Sequence, residues 1–115
     1  MNIEQLRKYC LSFTGATEDI KWKKDLCFCV GAKMFCVTCI DPAISTQFSF
    51  KCTPEKFAEL TEIDGIIPAP YAARYHWVAI QKHDALPPVE IKKLIADSYK
   101  LVFDKLPGKV KKTIP

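Results

Sequence analysis

Glycine is scarce in this chain. Its four glycines stand at positions 15, 31, 65 and 108, too far apart for a dinucleotide fingerprint or a phosphate-cradling loop. The nucleophile elbow Gly-x-Ser-x-Gly and the zinc motif His-Glu-x-x-His are missing too. No apolar run approaches the roughly 20 residues that a membrane helix needs. The start, Met1-Asn2-Ile3-Glu4-Gln5, lacks the basic and then apolar pattern of a secretion signal. These absences set the expectation of a cytoplasmic protein with no membrane partner. Its six cysteines are then expected as thiols, because cytosolic reductants keep them so.

What is present is ordinary globular composition. The 115 residues are 49% hydrophobic and 26% charged, which suits one folded domain and argues against disorder. The net charge of +4 is unevenly placed. Twelve basic and twelve acidic groups cancel over residues 1–99, whereas Lys100, Lys105, Lys109, Lys111 and Lys112 face only Asp104 beyond them. A neutral body with a basic end lacks the broad basic patch of a generic nucleic-acid binder. No repeat, linker or low-complexity segment divides the chain, so residues 1–108 are expected as the domain and 109–115 as a mobile basic tail.

Asn2 predicts an N-cap, with Ile3, Leu6, Tyr9 and Cys10 at helical spacing behind it. A polar stretch over 16–25 follows. Residues 26–40 predict a β-hairpin turning at Gly31, where a left-handed backbone is allowed. Pairing Val30 with Phe35 would put Phe28, Val30, Phe35 and Val37 on one face. It would put Cys27, Cys29 and Cys36 on the other. A third strand is expected over 47–52. Thr53-Pro54-Glu55 is a strong helix start, with a capping hydroxyl, proline at the first turn and an acid on the dipole. That helix buries Phe57 and Leu60 and stops by Gly65. Residues 66–74 predict a loop and 75–81 a fourth strand, with His76, Val78 and Ile80 on one face. After Pro87-Pro88 comes the longest helix, with Ile91, Leu94, Ile95, Val102 and Leu106 on one stripe. The expected fold is α+β, a single compact domain with an antiparallel sheet packed against helices.

The chemistry-bearing residues are few. Cys27-x-Cys29 and Cys36-x-x-Cys39 have spacing that zinc would accept. Both pairs lie within strands, however, where Cys36 and Cys39 point to opposite faces. No metal, cofactor or catalytic group is therefore expected. Cys52 precedes a helix start that could favour its thiolate, but neither His76 nor His83 can be placed beside it, so a structural thiol is the expectation. The cluster Arg74-Tyr75-His76-Trp77 combines a cation with stacking rings, as does Lys21-Trp22-Lys23-Lys24. Basic residues interleaved with aromatics suit phosphate contact and base stacking; a solvated loop with one core tryptophan is the commoner source of such runs.

Several runs then carry a resemblance. They are Asp25-Leu26-Cys27-Phe28-x-Val30-Gly31-x-Lys33-Met34-Phe35, Phe50-Lys51-Cys52-x-Pro54-Glu55, Gly65-Ile66-x-Pro68-Ala69-Pro70-Tyr71, His76-Trp77 and Asp97-Ser98-Tyr99-x-Leu101-Val102. In this order the chain resembles the MmcQ/YjbR family of small bacterial proteins over nearly its whole length. The resemblance implies a double-wing α+β fold and DNA binding, with no catalytic residues to carry over. This chain departs from the family pattern at Lys23, where relatives tend to have glycine. The expected function is thus non-enzymatic binding of double-stranded DNA by a monomer through Lys21, Trp22, Lys23, Lys24, Arg74, Tyr75, His76, Lys109, Lys111 and Lys112. The alternative is an adaptor that takes a protein partner or small ligand on the sheet face or the 68–76 loop.

Overall fold

Asn2 caps the first helix reciprocally. Its side-chain oxygen accepts from the Gln5 amide at 2.8 Å, and the Gln5 side chain accepts from the Asn2 amide at 3.0 Å. In the computed structural model, which describes residues 2–21, 24–40, 48–70, 72–82 and 84–115, this helix, α1, spans Ile3–Leu11. Six strands follow along the chain: β1 Thr17–Lys21, β2 Asp25–Val30, β3 Lys33–Cys39, β4 Phe48–Lys51, β5 Ile66–Pro68 and β6 Trp77–Ile80. They form one antiparallel sheet in the order β1-β2-β3-β4-β6-β5. The other helices are α2 Pro54–Leu60, α3 Pro88–Asp104 and α4 Gly108–Lys111. The chain is an α+β domain, as its sequence implies. Two strands stand where the sequence predicts none. The polar stretch before Asp25 contains β1, and the 66–74 segment opens with β5.

The central hairpin corrects the expected register. Gly31 and Ala32 form a two-residue turn with φ of 57° and 66°, the left-handed pair that matches strand twist. Val30 therefore pairs with Lys33, not with Phe35. Cys29 faces Met34 and Phe28 faces Cys36, which leaves Phe35 as the extra residue of a β-bulge. The bulge lets the consecutive Phe35 and Cys36 both bury completely. Beyond it the alternation is reversed from expectation. Cys36 joins Phe28 on the helix side, where its thiol meets Cys10 of α1, and Val37 falls with Cys27 on the outer side. The expected grouping of Cys27, Cys29 and Cys36 is thus broken. The separation of Cys36 from Cys39 stands.

Two rows of cross-strand neighbours make the inner face. One holds Leu26, Thr38, Phe48, Ile80 and Ile66; the other holds Phe28, Cys36, Phe50 and Val78. All are buried, and α3 lays Ile91, Leu94, Ile95 and Val102 against them. Phe35 meets the rings of Phe13 and Tyr99 edge-on at 5.9 and 5.4 Å. Each fully buried aromatic or aliphatic side chain here contributes roughly 1.5–3 kcal/mol.

Ser98 ties this helix to the bulge. Its hydroxyl is completely buried, donates to the Phe35 carbonyl at 2.6 Å and accepts from the Lys51 amide at 3.0 Å. Two backbone groups next to the bulge are thereby satisfied by one side chain.

The basic end is not a free tail. Residues 108–111 form α4, and Val110 and Ile114 pack on the core. Gly31 sits so close beneath this end that a Cβ there would fall 2.6 Å from Leu106 and 3.0 Å from Val110. Two apolar residues four apart hold the segment down, whatever the lysines between them do. Among the described residues no helix is long and apolar enough to cross a membrane.

Candidate functional site: a groove on the outer sheet face

The helices pack on the inner face of the sheet. Strand alternation sends Met34, Val37 and Cys39 of β3 outward, with Ser49 and Lys51 of β4 and Trp77 of β6. These side chains floor a groove of about 880 Å³. One wall is the segment that carries Ala69, Pro70, Ala72 and Tyr75, and the other is the end of α3 with Lys105, Leu106 and Pro107. A volume of this size lies in the range of small-molecule sites, roughly 300–1,000 Å³.

The ring-bearing wall is held by backbone bonds. The Ala69 amide donates to the Trp77 carbonyl at 3.0 Å, and the Trp77 amide donates to Ala72 at 3.4 Å. His76 adopts a left-handed backbone, φ 64°, and its carbonyl accepts from both the amide and the thiol of Cys52, at 2.9 and 3.3 Å. This turn brings Tyr75 and Trp77 together on the groove. The Arg74 guanidinium lies 4.9 Å from the centre of the Tyr75 ring.

Next to Trp77 the groove is cationic. Lys51 and Lys105 both line it, and the Lys51 pKa is lowered first by burial and then by the charge of Lys105. Lys33 also lines the groove, with Asp25 as its carboxylate.

The residues expected from sequence fall in several places. Arg74 stacks on Tyr75, which lines the groove and is 53% exposed. His76 does not join them, because its ring packs edge-on against Phe57 of α2 at 5.7 Å, and it starts no strand. Lys21 ends β1, and Lys24 is exposed in the turn before β2. Trp22 and Lys23 lie outside the described residues, as do Tyr71 and His83. Lys109 and Lys112 are exposed on and after α4. Lys111 is taken up locally, donating to the Asp104 carbonyl at 2.9 Å and lying 5.7 Å from the Phe103 ring. The sequence reading missed Met34, Val37, Cys39, Ser49, Lys51 and Lys105 as groove residues. The alternation of Ser49 and Lys51 with Phe48 and Phe50 was the signal that could have revealed part of this floor.

Five of the six thiols are buried. Burial pushes Cys52 up to about 11 against a smaller opposing effect of Lys56, which outweighs any help from the helix start. Burial, with the neighbouring Cys29, pushes Cys27 up to about 11 as well. Cys39, on the groove, is the least buried of the six. Among the described residues no three His, Cys, Asp or Glu side chains gather as a metal site would require.

Comparison with known proteins fits this architecture. The YjbR family model matches residues 11–101. The chain belongs to the YjbR family. A crystal structure from Deinococcus radiodurans with the family-model domain DUF419 superposes with a TM-score of 0.86 at 25% identity, covering 97% of this chain and 86% of that one. A protein from Pseudomonas syringae superposes with a TM-score of 0.74 at 24% identity, over 89% of this chain and 99% of the other. No functionally curated protein matches. The YjbR-like runs in this sequence now have structural reasons. Gly31 admits Leu106, Pro54 and Glu55 open α2, and Ser98 bridges β3 and β4.

Proposed function

We propose that this YjbR protein is a non-enzymatic binding module whose ligand enters the groove on the outer sheet face. The observation that carries this reading is the groove itself: about 880 Å³, lined by Tyr75 and Trp77 with Lys51 beside Trp77. Such a composition holds a partly apolar ligand by area and orients it by charge. The protonated, buried Cys27 and Cys52 support a structural role for the thiols.

The test is binding of a neutral naphthalene dye, N-phenyl-1-naphthylamine, followed by its fluorescence. One dye per chain is expected, with loss of binding in Ser49→Trp, which fills the floor. Equal binding by that variant, or none by the parent, overturns the reading.

DNA binding is the second reading, and the Arg74–Tyr75 stack is the observation that favours it. An exposed cation on an exposed ring suits phosphate contact beside a stacked base. The double-wing description belongs to this reading. Its test is the salt dependence of duplex binding, where each phosphate contact adds about 0.9 to the log–log slope. Arg74→Ala should flatten that slope by about one contact.

A further inference from the structure

We propose that the groove selects a small amphipathic acid, an apolar ring-bearing body with a single carboxylate, sulfonate or phosphate, and that Lys51 and Lys105 hold the anion. This rests on the groove being the ligand site and names the class of ligand it takes.

Two cations share the groove. Lys51 closes β4 opposite Trp77, its amide fixed by Ser98. Lys105 caps the end of α3. The end of a strand and the end of a helix therefore bring both lysines to one groove. Among the described residues neither takes part in an ion pair; the pairs there are Arg7–Glu18, Lys56–Glu59 and Lys82–Asp64. Like charges held close repel, more strongly where water is partly excluded. A bound anion would convert that repulsion into two attractions.

The surroundings agree in sign and size. Lys33, Lys51 and Lys105 against Asp25 leave the lining at 3 − 1 = +2. The carbonyl of Asp104 at the end of α3 is already taken by Lys111, so that partial negative charge does not occupy Lys105. Beside the lysines, Trp77 and Val37 offer apolar surface for a ring. A single pocket of this volume fits one small molecule, and the lysine pair fits one anionic group on it.

The experiment compares two dyes sharing one ring system, 8-anilinonaphthalene-1-sulfonate and the neutral N-phenyl-1-naphthylamine. Lys51→Met/Lys105→Met keeps the apolar stems and removes the charges. It should weaken the sulfonate by roughly tenfold or more, the scale of one well-placed ion pair, and change the neutral dye by less than about twofold. Lys93→Met/Lys100→Met makes the same change in net charge away from the groove and should leave both dyes as they were. Lys105→Met alone, at an exposed side chain, should already show part of the loss. Sulfonate binding indifferent to Lys51 and Lys105, or an equal loss of both dyes, overturns the inference while leaving the groove. Absence of both dyes from the parent chain removes the groove reading along with it. Displacement of the sulfonate by a short duplex as readily as by a small aromatic acid would assign the lysines to nucleic acid and overturn the proposal.

Discussion

Replacing Ser98 by alanine removes one oxygen and strands two backbone groups. The hydroxyl donates to the Phe35 carbonyl at 2.6 Å and accepts from the Lys51 amide at 3.0 Å, in a site with no solvent exposure. The bulge at Phe35 carries β3 out of regular pairing here, and Ser98 is the group that bridges the two strands. Alanine leaves the buried Phe35 carbonyl and the partly buried Lys51 amide without that partner. Each such loss costs about 1–3 kcal/mol, so Ser98→Ala should cost about 2–5 kcal/mol after partial relaxation. Against a total stability of roughly 5–15 kcal/mol, that is a large fraction. At about 3–5 °C per kcal/mol for a domain of this size, the melting temperature should fall by roughly 10 °C or more. Urea unfolding, read by far-ultraviolet circular dichroism, measures the change directly from the midpoint. Ser12→Ala serves as the control, because its bond to the Tyr9 carbonyl lies on the surface and its loss should stay within about 0.5 kcal/mol. A Ser98→Ala variant no less stable than that control would refute the bridging role and the account of the bulge.

Three further outcomes follow from the packing. Phe35→Ala should cost about 3–5 kcal/mol, as for a fully buried aromatic, and Val37→Ala well under half of that; equal costs in urea unfolding would restore the register that the bulge displaces. Alkaline stability should decline because burial raises the Cys27 and Cys52 thiols from 9.0 to about 11. Between those values the unfolded chain has released protons that the folded chain retains, so stability falls with rising pH. The melting temperature should hold to about pH 8.5 and drop from pH 9 to 11 in proportion to these thiols; replacing both with alanine should shrink the drop, and no change would contradict the assignment. Finally, Ellman's reagent should titrate about one thiol per native chain, Cys39, and six after denaturation. Fast labelling of Cys52 would refute its burial.

Much of this fold is legible in the sequence because local chemistry and burial agree. Asn2 with Gln5, Thr53 with Pro54 and the apolar stripe of α3 each announce an element through capping or period. The misplaced parts fail for physical reasons. β1 is a polar edge strand whose one large apolar residue, Ile20, is 58% exposed, so no alternation marks it. β5 is three residues long and ends in proline. The bulge depends on Ala32 taking a left-handed backbone, a conformation that alanine adopts only at a cost. At the basic end, the lysines of α4 hide the apolar pair Val110 and Ile114. The site suffers the same bias. Clustered cations at 21–24 and 109–112 stand out along the chain, whereas Lys33, Lys51 and Lys105 are isolated in sequence and meet only when the sheet and α3 come together.

The most direct test of the groove as ligand site is the alkylation rate of Cys39 by iodoacetamide, with and without saturating N-phenyl-1-naphthylamine. Cys39 lines the groove and is the most accessible thiol, so occupancy should slow its modification by roughly tenfold, with peptide mapping placing the label at that residue. An unchanged rate at dye saturation would contradict the account.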